Sequence, residues 1–202
     1  MKVSIMFATP HPIETMSLAA GVSYSKDNVS LKRVQSCLGH RHFSVAEFGD
    51  IQFKIEGCSR AASHQLVRHR LCSFLQESQR YNKYDLNSDD WYVMPPSIQE
   101  DMKKKQAFQN TMHFAGGQYQ SMLDNGVKPE DARFVLPEAM KTTLVMKMNA
   151  RELFNFLNLR LSPSAQWEIR EIAEEMYQAV RDYNEEWAQI MDIYDEVKDI
   201  IK

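Results

Sequence analysis

Val3, Ile5 and Phe7 alternate with Lys2, Ser4 and Met6, and this period of two predicts a strand from Lys2 to Ala8. A second alternation sets Ile51, Phe53 and Ile55 against Gln52, Lys54 and Glu56, a half-buried strand punctuated by Gly57. Thr142 to Met148 is rich in β-forming residues and predicts a third. Elsewhere the spacing is helical. Ser30 is placed to cap a helix carrying Leu31, Val34 and Leu38 and closed by Gly39. Ser44 and Glu47 have capping-box spacing ahead of a short helix. Ser59 to about Gln76 reads as one helix, and Asn82 to Pro96 as an aperiodic loop. Ser97 and Glu100 give a second capping box, opening a long helix that Asn125-Gly126 ends. Pro129 to Phe134 predicts a short helix stopped near Pro137. Ala150 to Arg160 predicts a helix with Leu153, Phe154, Phe156 and Leu157 on its apolar side. Ser162-Pro163 supplies a cap and first-turn proline for a final long helical region. Strands and helices mix without a βαβ rhythm, which predicts an α+β fold with a mixed or antiparallel sheet and long helices.

Composition narrows the class. The 202 residues, 44% apolar and 25% charged, fit one globular domain over 1–202 with a core of its own. No apolar run approaches the roughly 18 residues of a membrane span, and Pro10, His11 and Glu14 make the start a poor secretory signal. Cys37, Cys58 and Cys72 are odd in number and widely spaced, so a reducing cytoplasm is the simplest location. The net charge of -3 hides an uneven distribution. Arg60 to Lys83 carries five basic residues and one acid, whereas Glu168 to Lys202 carries eleven acids and four basic residues. The first stretch sets its cations among Leu66, Val67, Leu71, Phe74 and Leu75, where cations usually serve an anion. The acidic stretch reads as a solvated helix face.

Glycine-rich dinucleotide and phosphate loops and the G-x-S-x-G elbow are absent from the sequence. Three constellations remain. His40, His42 and Glu47 could offer metal ligands, with His64 and His69 further on, but their spacing lacks the tight helical pairing of zinc sites. Arg68-His69-Arg70, followed after seven residues by Ser78 and then Arg80, can hold phosphates through guanidinium forks. The same basic stretch could instead make salt bridges to the acidic C-terminal region, or bind nucleic acid. Asn149 and Asn155 could read the polar edge of a flat heterocycle, or Asn149 could simply cap its helix.

These residues resemble the flavin-dependent thymidylate synthases. The R-H-R, seven residues, Ser signature stands at Arg68-His69-Arg70 and Ser78. His42-Phe-Ser44-Val-Ala-Glu47-Phe48, Ser59 to Arg68, Arg133-Phe-Val-Leu-Pro137, Asn149 to Arg160 and Ala165-Gln-Trp-Glu-Ile169 are similar to further elements of that family. The resemblance runs from about Ala19 to Arg170. It implies the family's fold and the conversion of dUMP to dTMP. Methylenetetrahydrofolate would give the carbon and FAD, reduced by NADPH, the hydride. It also implies a homotetramer with shared active sites, no metal, and no nucleic-acid or membrane partner.

The same resemblance assigns residues. His42, Ser44, Glu47, Arg68, His69, Arg70, Gln76, Asn149, Arg151 and Asn155 are expected around FAD. Gln65, Arg68, Gln76, Glu77, Ser78, Arg80, Arg133 and Arg160 are expected around dUMP. Arg160 is the expected catalytic group, since a cation beside uracil stabilises the negative charge the ring develops. Ser78 is expected to bind substrate rather than attack it, because a serine nucleophile needs an adjacent oriented base. The chain departs from many members at Gly21, Leu75, Gln76 and Ser164. These departures keep open a protein that binds flavin and nucleotide without turnover.

Overall fold

The computed structural model describes residues 1–201. It is α+β, with a four-stranded sheet in the order β1 (Lys2–Ala8), β2 (Asp50–Ser59), β4 (Lys141–Asn149), β3 (Ser73–Gln76). Thr9 N donates to Asp50 O at 2.9 Å, pairing the end of β1 with the start of β2. Ala150 N to Gly49 O and Arg60 N to Met140 O close the two ends of the β2–β4 pair, so these neighbours run antiparallel. The helices are α1 (Pro12–Val22), α2 (Leu31–Gly39), α3 (Arg60–Leu66), α4 (Pro96–Gln99), α5 (Met102–Asp124), α6 (Pro129–Ala132), α7 (Ala150–Arg160), α8 (Trp167–Arg181) and α9 (Glu185–Val197).

Two compact units emerge: Met1–Ile55, Gln65–Leu75 and Val145–Lys202 form the first, Glu56–His64 and Gln76–Leu144 the second. The first has a core of Met16, Leu38, Phe53, Phe156, Trp187 and Tyr194. Trp187 Nε1 donates to Thr9 O at 2.9 Å, so even this buried indole has its partner. The second is centred on Leu86, Trp91, Tyr92, Met112, Tyr119, Ala132 and Met140.

The three expected strands and the α2 and α7 helices are present, and Ser30 accepts from Arg33 N as the α2 cap. Other expectations are corrected. The 59–76 helix stops at Leu66, and residues 67–72 turn before β3. Val67, Leu71 and Leu75 are exposed, so they supply no buried helical stripe. Backbone pairing captures the segment instead, with Glu77 N donating to Thr143 O at 2.9 Å. Ser44–Glu47 forms a 3-10 turn, Phe43–Phe48, without a side-chain cap. The long helix α5 is capped by Asp101, whose carboxylate accepts from Lys103 N and Lys104 N, and not by Ser97. Gln166 rather than Ser162 caps α8, and the final region breaks into two helices, α9 having its own Asn184 cap. Gly39 does close α2, and the left-handed residue beyond it is Arg41, φ 65°.

Helix α1 had no sequence expectation. It contains Gly21, where a Cβ would lie 2.2 Å from the Lys26 carbonyl oxygen. That close turn demands glycine, and Arg33 on α2 reaches the neighbourhood, donating to Ser17 O at 3.1 Å and Asn28 O at 2.8 Å.

Candidate active site

In the first unit, β4 hands over to α7 at Asn149. Its Oδ1 accepts from Glu152 N at 3.0 Å while Glu152 Oε2 accepts from Asn149 N at 2.8 Å, a complete capping box. Capping commits the Asn149 oxygen and leaves its NH2 group for other partners. A cavity of about 420 Å³ opens beside this helix start. Phe43, Leu71 and Phe154 give it apolar walls, and Asn149, Asn155 and Glu152 give it polar ones. Arg151 and Glu47, which also line it, are joined as an ion pair. Apolar walls with a few fixed polar groups suit part of a large planar cofactor such as the expected flavin.

Four of the expected flavin residues, Glu47, Asn149, Arg151 and Asn155, therefore share one cavity. His42, Ser44, Arg68, His69 and Arg70 lie in the same unit but do not line it, and Gln76 lies in the second unit. The signature tripeptide sits on the turn after α3, with Arg68 and Arg70 exposed and His69 only 6% exposed. The His69 ring meets Phe156 edge-to-face at 5.4 Å. Burial pushes its pKa below the ordinary histidine value and the nearby Arg160 charge works the same way, against a hydrogen bond to the Glu152 backbone. Neither His69 Nε2 nor Arg160 Nε has a protein partner, although both atoms are buried. Each of these buried atoms has hydrogen-bonding capacity that a polar ligand could meet. Burial and Glu152 push the Cys72 thiol up to about 12, which removes it as a nucleophile.

The second unit holds most of the expected nucleotide residues. Gln76, Glu77, Ser78, Arg80 and Arg133 belong to it, whereas Gln65, Arg68 and Arg160 belong to the first. Glu130 organises the two arginines: its carboxylate pairs with Arg80 Nε at 2.5 Å and its carbonyl accepts from Arg133 Nε at 3.0 Å. Two guanidinium groups held by one glutamate, one at its carboxylate and one at its carbonyl, leave a net positive charge and Nη donors for an anion. Ser78 Oγ accepts from Arg80 N at 3.2 Å, which shapes the turn. Among the described residues no side-chain base is bonded to that hydroxyl, so it is not set up as a nucleophile.

Sequence reasoning missed Arg60, and it missed the structural contacts of Gln76, which together hold this turn. Arg60 Nη2 donates to Glu77 O at 2.9 Å, with its Nε buried and unpartnered. Gln76 Nε2 donates to Ser63 Oγ at 2.9 Å and Thr142 Oγ1 at 3.2 Å. Its amide nitrogen is thus spent on a strut between α3 and β4, and only a donor could fill this role. Gln76→Leu is expected to lower stability by about 2 kcal/mol, two neutral hydrogen bonds at about 1 kcal/mol each, measured by urea unfolding. No loss would show that the strut is idle. Nothing in the spacing of Gln76 or Arg60 signalled these bonds, because both are long-range in sequence.

The alternative metal set is not assembled: His40 Nδ1 bonds Ser36 O at 2.8 Å, Glu47 is engaged by Arg151, and no metal-holding cluster occurs among the described residues. Nor, among them, is any helix long and apolar enough to cross a membrane.

Comparison with known proteins identifies the chain's relatives. The sequence model of the family described as thymidylate synthase complementing protein matches residues 4–184. A flavin-dependent thymidylate synthase of Pyrococcus furiosus is 40% identical over 189 residues, 87% of this chain and 77% of that protein. One from Geobacter sulfurreducens is 41% identical over 196 residues, 90% of this chain and 82% of the relative. The crystal structure of the Helicobacter pylori flavin-dependent thymidylate synthase complexed with FAD and dUMP is similar at a TM-score of 0.74. It is 26% identical, and the match covers 91% of this chain and 97% of that one. With a family match across most of its length and relatives at this identity, the chain belongs to the flavin-dependent thymidylate synthase family.

Proposed function

We propose that the chain methylates dUMP to dTMP with FAD as its cofactor, acting as one domain over residues 1–202. The observation that carries this reading is the cavity in which Asn149, Asn155 and the Arg151–Glu47 pair converge, all within the region that matches the family. When bound, FAD supplies the hydride chemistry, with NADPH as its reductant and methylenetetrahydrofolate as the carbon source. The amides and ion pair orient the cofactor, and the exposed Arg68 and Arg70 supply charge for its phosphates. Arg80 and Arg133 hold the nucleotide phosphate. Arg160 places positive charge where the uracil ring becomes negative, which favours the ring carbon as a nucleophile without an attacking side chain. His69, kept neutral by burial, orders its surroundings without adding charge.

A homotetramer with shared sites is part of this proposal. Val22, Phe134, Leu75 and Tyr81 are 80%, 83%, 77% and 74% exposed, apolar surface that an assembly would cover. The free cysteines fit a cytoplasmic protein.

The test incubates the purified protein and FAD with dUMP tritiated at uracil C5, NADPH and methylenetetrahydrofolate. Tritium release with dTMP formation is the expected result. Flavin bound without release would overturn turnover, and no flavin bound would overturn the reading as a whole. In the same assay Arg80→Ala is expected to raise the KM for dUMP about tenfold to a hundredfold, with kcat little changed, because a charge-assisted contact is lost from binding. An unchanged KM would remove Arg80 from the phosphate site.

A further inference from the structure

After α9 the chain makes a 3-10 turn at Lys198–Ile200, and the half-buried Ile201 then becomes a wall of the same cavity. A side chain on α7 holds it there. Asn158 Nδ2 donates to Lys198 O at 2.7 Å and to Ile201 O at 3.4 Å. Asn158 Oδ1 accepts the Tyr194 hydroxyl at 3.1 Å. Tyr194 is itself fixed, 2% exposed and 5.2 Å from the Phe154 ring, another wall of the cavity. With its oxygen committed to a hydroxyl donor, the amide can only present NH2 to the two carbonyls. One polar chain, Tyr194 to Asn158 to the 198–201 backbone, thus ties two apolar walls together. Asn158 lies in the stretch singled out from the sequence, yet its spacing suggested no role for it.

We propose that Ile201, clamped through Asn158, is a ligand-contacting residue of the flavin cavity that slows release of the cofactor's planar ring. The inference rests on the flavin reading above. An apolar side chain over a planar ring keeps water from it, and a clamp fixed in advance spares the cost of ordering the segment on binding.

The test measures FAD affinity and release by flavin fluorescence in the wild type and in Ile201→Gly, Ile201→Leu and Asn158→Asp. Ile201→Gly is expected to weaken FAD binding about tenfold through faster release, the scale of removing a partly buried aliphatic side chain. Ile201→Leu should restore wild-type retention. Asn158→Asp, which keeps an acceptor for Tyr194 and loses both donors, should release FAD as fast as Ile201→Gly. The ligand-free melting temperature of Ile201→Gly should match the wild type, which separates this role from folding. Wild-type retention in Ile201→Gly overturns the proposal and leaves the flavin reading standing. Fast release in Ile201→Gly but not in Asn158→Asp overturns the clamp. A wild type that binds no FAD overturns both readings.

Discussion

Arg160→Ala is expected to slow dTMP formation and tritium release from C5-labelled dUMP by about a hundredfold to a thousandfold at saturating dUMP, while FAD still binds. Arg160 is the last residue of α7, half-buried, with its Nε buried and unpartnered. A charge held in that way does little for a neutral ring and much for an anionic one, so its removal acts on the rate more than on binding. Arg160→Lys should recover part of the rate, because it keeps the charge and loses the planar fork. Wild-type rates in Arg160→Ala would sink the electrostatic role. The alanine variant should also let the His69 pKa rise toward its ordinary value, since one of the two influences lowering it is gone.

Phe156→Ala is expected to cost about 3–5 kcal/mol in urea unfolding, the usual scale for emptying a phenylalanine site in a core. Phe156 is 0% exposed, and its ring supports His69 at 5.4 Å, so the cavity would open beside the signature histidine. The pH dependence should change with it. Folded His69 resists protonation, while an unfolded histidine takes its proton near 6.5. Stability from this residue is therefore fully present above about pH 6.5 and falls as pH drops through that value, levelling off below the depressed folded pKa. Water admitted by the Phe156→Ala cavity should reduce burial of the ring and flatten this acid loss. A cost under about 1 kcal/mol would show that the surrounding core collapses onto the histidine unaided.

The sheet was legible wherever apolar and polar residues alternated, as at Ile51–Ile55, because one face of each strand is buried and the other is not. Helix α7 was legible from its apolar side and from Asn149, which proves to cap it. The 59–76 segment misled because Leu66, Val67, Leu71 and Leu75 mimic a helical stripe, while three of the four are exposed and β3 follows the edge of β4 instead. Helix α1 escaped notice because its buried side mixes Ser17 and Gly21 with Ile13, Met16 and Ala20 and shows no clean apolar stripe; at Gly21 the Lys26 carbonyl leaves no room for a Cβ. Of the candidate site, Asn149 and Asn155 drew attention by their amides, and Glu47 and Arg151 by the family resemblance alone; these four share one cavity and could be named in advance. Supporting contacts could not: Phe156 under His69, the Gln76 strut and the Asn158 clamp depend on partners far along the chain.

The alternation within Arg68-His69-Arg70 bears on how such a protein can change. The middle residue is buried in the fold and its two neighbours face solvent. On the proposed function, selection for ligand charge acts on the arginines, while packing against Phe156 constrains the histidine whatever else it does. A lineage released from its cofactor would lose the arginines first and keep the histidine, so the order of loss in the tripeptide records which demand was relaxed.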